Sequence, residues 1–256
     1  MNIQDVARIR GLLTDMDGVW FVGDTPLPGA AAALARLRER AIPVRFVTNT
    51  TTKTAAQLAR KMGTMGLDVP AAEFVTTPVA TARHLRAAGV RAIFPVVADS
   101  IRPEFAGFEE SDQPEAIVIG DIGNAWNYDL MNRLFRMAMD GARLVAMHRG
   151  RFWQVDDGLR MDIGAFVAGL EYATGQTATV IGKPSRTMFD AALADIGLAA
   201  EDVVMVGDDV QMDIGGAQAA GLRGVLVKTG KYRGDLVAAS GITPDLVLDS
   251  IAALLE

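Results

Sequence analysis

One stretch near the N-terminus restricts the fold more than any other: Gly11-Leu12-Leu13-Thr14-Asp15-Met16-Asp17-Gly18-Val19-Trp20. Its apolar run is too short for a helix and stops at a turn signal, which reads as a buried strand. Asp15 and Asp17 stand two apart at the end of that strand and can be brought to one side of the chain. Paired carboxylates repel each other unless a cation or a shared proton relieves them. Asp-Gly is also a common turn pair. Taken alone, the stretch is equally a plain strand-to-turn junction, and the rest of the chain has to decide.

The pattern recurs. Residues 43–47 read as a strand that stops at Thr48-Asn49, 178–181 as one that ends just before Lys183, and 203–206 as one that ends at Gly207-Asp208-Asp209. Helical patterns fall at 30–40, 54–65, 185–196 and through Gln218-Ala219-Ala220, with further strands at 224–227 and 246–248. Strand and helix alternating at this spacing imply parallel pairing with right-handed crossovers. The middle has its own rhythm: helices at 79–88, 128–139 and 165–174, strands at 92–98, 116–120 and 143–147, and a hairpin over 151–158 with Asp157-Gly158 at its turn. The expected architecture is α/β. A doubly wound, Rossmann-like parallel-sheet core is built from 1–76 and 178–256, and a smaller α/β unit, 77–177, is inserted into it.

Half of the 256 residues are hydrophobic (50%), ample for a core of this size. The net charge of −6 and the lack of any long Lys/Arg run argue against nucleic-acid or polybasic membrane partners. With no cysteine, thiolate metal sites and cysteine nucleophiles are excluded. The N-terminus lacks signal-peptide blocks, and no apolar stretch approaches the roughly 20 residues of a membrane span. The chain reads as a soluble, cytoplasmic protein.

In an open α/β sheet, ligands sit beyond the carboxyl ends of the strands, so the polar groups at the four strand ends would converge if the strands are neighbours. Clustered carboxylates would repel an anionic substrate unless a hard cation such as Mg2+ bound first, and oxygen ligands without His or Cys suit that ion. Thr48, Asn49 and Lys183 could then hold phosphoryl oxygens. This set asks for phosphoryl transfer. Plainer readings exist for each member. Lys183 could be a surface lysine before a proline-started helix. Asp208-Asp209 could cap the next helix, and Asp213 could be an ordinary acid of a first helical turn. Gly182-Lys183 lacks the upstream glycine and following hydroxyl of a P-loop, and that reading fails.

Asp15-Met16-Asp17-Gly18, Thr48-Asn49, Gly182-Lys183-Pro184 and Gly207-Asp208-Asp209 with Asp213 resemble, in order, the four motifs of the haloacid dehalogenase-like phosphatases. The inserted segment resembles the C2-type cap of their NagD-like branch. Arg45-Phe46-Val47-Thr48-Asn49-Thr50-Thr51 and Val227-Lys228-Thr229-Gly230-Lys231-Tyr232 bring the chain near phospholysine/phosphohistidine/pyrophosphate phosphatases. The resemblance implies a Mg2+-dependent phosphatase for a small phosphorylated substrate. Asp15 would be the nucleophile and Asp17 the general acid and base. Mg2+ would be held by the Asp15 carboxylate, the Asp17 backbone carbonyl and the Asp208 carboxylate. Asp209 would support the site through metal-bound water. Thr48 and Asn49 would bind the phosphoryl group, Lys183 would neutralise charge, and Asp213 would orient Lys183 or its loop. Analogy with the cap type also implies a homodimer. The competing functions are a phosphoaspartate signalling or binding protein without turnover, and a hydrolase of the same fold acting on pyrophosphate or a phosphoramidate. For substrate contacts in the cap, the strand-end loop Asp121 to Tyr128 and His148-Arg149 are the candidates. Trp20 and Phe21 either line the leaving-group pocket or pack inside.

Overall fold

The structure, a computed structural model, describes residues 9–155 and 158–254. In chain order the first elements are β1 (Gly11–Thr14), a small hairpin of β2 (Phe21–Val22) and β3 (Thr25–Pro26), α1 (Ala30–Glu39), β4 (Val44–Thr48), α2 (Ala55–Thr64) and β5 (Phe74–Thr76). Next come α3 (Thr77–Ala87), β6 (Ala92–Val96), β7 (Glu109–Glu110), β8 (Ala116–Ile119), α4 (Tyr128–Met139) and β9 (Arg143–Ala146). The hairpin of β10 (Phe152–Val155) and β11 (Gly158–Met161) follows, then α5 (Gly164–Thr174) and β12 (Thr179–Val180). The chain closes with α6 (Arg186–Ile196), β13 (Val203–Gly207), α7 (Gly216–Ala219), β14 (Arg223–Val227), α8 (Gly234–Ser240) and β15 (Leu246–Leu248). Asp157 of the expected hairpin turn lies outside the described residues.

The chain divides into two compact units, one of Met1–Thr48, Ala55–Val75 and Lys183–Glu256, the other of Asn49–Thr54 and Thr76–Gly182. The first is built on a six-stranded sheet of order β15-β14-β13-β1-β4-β5. Its central strand β1 is buried along its whole length, as a strand covered on both faces must be. Leu12, Val44, Phe46, Val204 and Val206 join one core with Leu34 and Leu37 of α1 and Leu58 and Met62 of α2. From β1 the chain moves to β4 on one side, and from β13 it moves to β14 on the other. The direction of winding therefore reverses between β13 and β1, where an open sheet leaves a crevice at its carboxyl edge.

The second unit carries a five-stranded sheet of order β12-β9-β8-β6-β7, with every pair parallel. Ile117, Ile119, Leu144 and Ala146 pack against Leu134 of α4 and Val167 and Leu170 of α5. Here the winding reverses between β6 and β8.

One expectation is corrected. The strand expected at 178–181 in the outer sheet is the edge strand of the second unit's sheet: Thr179 and Val180 pair with Val145 and Ala146, and the Gly182 N–H donates to the Met147 carbonyl at 2.7 Å. A short apolar run carries no information about which open edge it joins. The helix expected through Gln218 is present, at Gly216–Ala219. A π-helical turn, Val210–Gly215, leads into α7, and such widened turns are often found at functional sites.

Candidate active site

The carboxyl end of β1 hands its ladder on to Asp15, whose N–H donates to the Val206 carbonyl at 2.9 Å. This places the Asp15 side chain at the reversal point beside the end of β13. Lys183 Nζ lies 2.9 Å from Asp15 Oδ1 and donates to Asp213 Oδ1 at 2.7 Å. Lys183 is 3% exposed and Asp213 is fully buried, so the chain of charges is almost dry. The other oxygen of Asp213 accepts the Asp209 N–H at 3.1 Å. Asp209 in turn caps the π turn, its Oδ1 accepting from the N–H groups of Gln211 and Met212.

Asp208 follows β13 and is buried. Its Oδ2 accepts the Lys231 N–H at 2.7 Å, while its Oδ1 is buried with no hydrogen-bond partner among the described residues. Glycines make room for it. Gly18 has φ +83°, and a Cβ there would stand 1.8 Å from Asp208 Oδ2. Gly207 must also lack a side chain, because a Cβ would meet the Asp213 carboxyl at 2.3 Å. The loop after β14 closes over the same place, with the Thr229 hydroxyl donating to the Gly18 carbonyl.

One oxygen from each of Asp15, Asp208 and Asp213 lies within 4.8 Å of the others. Three carboxylates thus crowd one buried ammonium. Burial, followed by repulsion from Asp15, pushes Asp208 up to about 6. Burial also raises Asp213, against the pull of Lys183 and with the push of Asp15 and Asp208. Burial works against the Lys183 charge, but Asp15 and Asp213 outweigh it and hold the ammonium above its usual range. Asp17 reaches solvent, yet partial desolvation and then Asp15 raise its carboxyl, opposed by Lys61 and Lys231.

The geometry gathers Asp15, Lys183, Asp208, Asp209 and Asp213 into one set of contacts. Thr48 ends β4, the other neighbour of β1, and is buried. Asn49 belongs to the second unit, where its side chain lies against Gly182. Trp20 and Phe21 are core residues. Trp20 is fully buried, donates from Nε1 to Thr14 Oγ1 at 2.8 Å and packs on Phe46, so it lines no pocket. In the second unit, Arg149 is paired with Glu171 at 2.5 Å. His148 is buried, with Nδ1 accepting the Gly150 N–H at 3.0 Å, and burial lowers its proton affinity. Lys231 carries no role in the reading of the motifs. Its place after a strand, in Lys228-Thr229-Gly230-Lys231, is the one signal the sequence offers for it.

Known proteins resemble this chain along most of its length. Family profiles match residues 12–109 as haloacid dehalogenase-like hydrolase and 180–254 as HAD-hydrolase-like. The chain is 42% identical over 225 residues to the haloacid dehalogenase-like hydrolase domain-containing protein 2 of Bos taurus, covering 88% of this chain and 86% of the relative. It is 34% identical to the human phospholysine phosphohistidine inorganic pyrophosphate phosphatase, covering 98% and 94%. Among solved structures, NagD from E. coli superposes with a TM-score of 0.89 at 30% identity, covering 95% of this chain and 97% of that one. A p-nitrophenyl phosphatase from Archaeoglobus fulgidus gives 0.90 at 29%, covering 96% and 98%. The chain belongs to the haloacid dehalogenase-like hydrolases. Within that family it stands with the NagD-like phosphatases. No helix among the described residues is long and apolar enough to cross a membrane.

Proposed function

We propose that the chain is a Mg2+-dependent phosphatase that hydrolyses a small phosphorylated molecule through an aspartyl-phosphate on Asp15. One observation carries the reading: Asp15 and Asp213 pair with the buried ammonium of Lys183, Asp208 crowds both carboxylates, and Asp208 Oδ1 is buried without a hydrogen-bond partner among the described residues. An excess of carboxylate over buried ammonium and an orphaned hard oxygen suit a divalent cation with oxygen ligands. The Asp15 and Asp208 carboxylates and the Asp17 main-chain carbonyl would hold it. Asp213 stays outside that set because Lys183 and the Asp209 N–H already occupy its oxygens. When bound, Mg2+ supplies the charge that lets a carboxylate approach a phosphate dianion.

The protein's own groups do the rest. Asp15 attacks phosphorus, and the bond to the leaving group breaks as Asp17 gives up its proton. The raised Asp17 carboxyl supports its starting as the acid. Asp17 then takes a proton from water, which attacks the phosphoryl group, releases phosphate and restores Asp15. Lys183 neutralises charge on Asp15 and on the phosphoryl oxygens, Thr48 and Asn49 bind those oxygens, and Asp213 and Asp209 hold Lys183 and the loop. The second unit acts as a C2-type cap that sets specificity, and by analogy it joins two copies into a homodimer. Names of relatives extend the substrate candidates to pyrophosphate and N-phosphorylated amino acids.

The test is a phosphate-release screen over p-nitrophenyl phosphate, sugar phosphates, nucleotides, pyrophosphate and phosphoamino acids, with Asp15→Asn as blank. Release that needs Mg2+ and stops with EDTA is expected. Equal release in metal-free buffer would overturn the metal, and equal release by Asp15→Asn would overturn the nucleophile.

A further inference from the structure

The second unit has a crevice of its own. At its reversal point, between the carboxyl ends of β6 and β8, lies a cavity of about 1020 Å3. This is the position where open parallel sheets bind ligands, and the volume is that of a small-molecule site. Register brings the two strand ends level, with Val96 opposite Ile119 and the Gly120 N–H donating to the Val96 carbonyl at 2.8 Å. The wall is apolar, formed by Phe94, Val96, Ile122 and Leu130. Charge stands at the rim as four carboxylates and two guanidinium groups.

Those charges are not equivalent. Arg102 is bound to Glu110 through both nitrogens of its fork, Nε to Oε1 at 3.0 Å. Arg133 is paired with Asp112 and lies over the Phe94 ring, 4.5 Å from its centroid. Each cation already has a carboxylate beside it, so an anionic ligand would meet that like charge on approach. Four carboxylates against two guanidinium groups leave the rim net negative. Asp99 and Asp121 are the two carboxylates not paired with those guanidinium groups at salt-bridge distance, although Asp99 lies near Arg102 and Asp121 near His148. Asp121 is anchored by the Gly123 N–H at 2.8 Å through Oδ1, which sets its carboxylate at the strand end. Asp99 opens the turn after β6.

We propose that this crevice is a binding site for a small organic amine. Its apolar body lies along Phe94, Val96, Ile122 and Leu130, and its ammonium faces Asp99 and Asp121. The crevice shares no residue with the acidic cluster around Asp15, and the proposal stands whether or not that cluster is catalytic.

Calorimetric titration of the full chain in Mg2+ buffer tests this with three probes of one shape: phenethylammonium, phenethyl alcohol and hydrocinnamate. Saturable binding of the amine is expected, with the alcohol and the carboxylate weaker by about tenfold or more. Asp99→Asn with Asp121→Asn keeps the Gly123 contact and should weaken the amine by about tenfold or more. Asp208→Asn should leave it unchanged. Equal binding of the three probes, no saturation by about 10 mM amine, or loss in Asp208→Asn instead of the double variant would overturn the proposal. If the double variant does not fold, the probe series decides alone.

Discussion

The two sheets of this protein share one geometry and line it with different chemistry. Each reverses its winding once, β13 against β1 in the first unit and β6 against β8 in the second. In the first, the residues past the strand ends are Asp15 and Asp208, set around a buried lysine with one oxygen left over. In the second, the corresponding place is an apolar-walled cavity whose arginines are already paired. The fold supplies a crevice, and the side chains at the strand ends determine what enters it. A crevice with an excess of buried negative charge calls for a cation first. One with apolar walls calls for a ligand that brings its own carbon skeleton.

Removing the charged groups of the first crevice should break this contrast most severely. Asp15→Asn should lower steady-state phosphate release by about a thousandfold or more, since no other group replaces a nucleophile. Its melting temperature should not fall, because one of three mutually repelling carboxylates is gone. Asp17→Asn should lower the rate by about a hundredfold or more. Acid-quenched samples of that variant should then carry phosphate on Asp15; a normal rate would remove Asp17 from proton transfer.

A second, smaller perturbation removes no functional group. Gly18→Ala forces a Cβ to within 1.8 Å of Asp208 Oδ2 at a φ of +83°. Both the strain and the displaced carboxylate should cost about 1–3 kcal/mol of stability. Mg2+ affinity should fall with it, measured by titrating activity against the metal. Unchanged affinity would show that Asp208 does not need its present position.

Much of the first crevice is legible in the amino-acid sequence. Apolar runs that stop at polar residues identify β1, β4 and β13 and the residues beyond them, because burial on both faces leaves a simple pattern. What the pattern lacks is partnership between distant residues. Nothing in Thr179-Val180 says that it pairs with β9, and nothing near Lys231 says that its N–H holds Asp208. Trp20 stands next to two acids and so reads as a pocket wall as readily as a core residue. Its indole N–H is satisfied inside, by Thr14. The roles of Arg149 and His148 are equally invisible, since strand-end position alone does not reveal Glu171 or the Gly150 N–H.

Titration separates the two crevices more gently. Asp208 is raised to about 6 from 3.8, so between those values the metal-free folded state binds more protons than the unfolded chain. Stability contributed by this group therefore rises as pH falls from about 7 toward 4. Urea melts of metal-free protein should show that rise, and Asp208→Asn should reduce it. Mg2+ should reverse the sense, since the ion needs the ionised carboxylate and loses affinity below about pH 6. A flat profile in both conditions would mean that Asp208 is not crowded in solution.

The smallest effect belongs to the second unit. Arg149 follows a strand as Asp15 does, and on position alone it qualifies as a substrate contact. Its guanidinium is half exposed and tied to Glu171, whose other oxygen accepts the Ala178 N–H at 2.9 Å. That arrangement joins α5 to the segment entering β12 and leaves the cation engaged. Arg149→Gln should therefore cost no more than about 1 kcal/mol of stability, as a partly exposed ion pair does. It should leave kcat and KM for phosphate release within about twofold. A large rise in KM with stability unchanged would return Arg149 to the substrate, and with it the idea that strand-end position alone marks function in the second sheet as it does in the first.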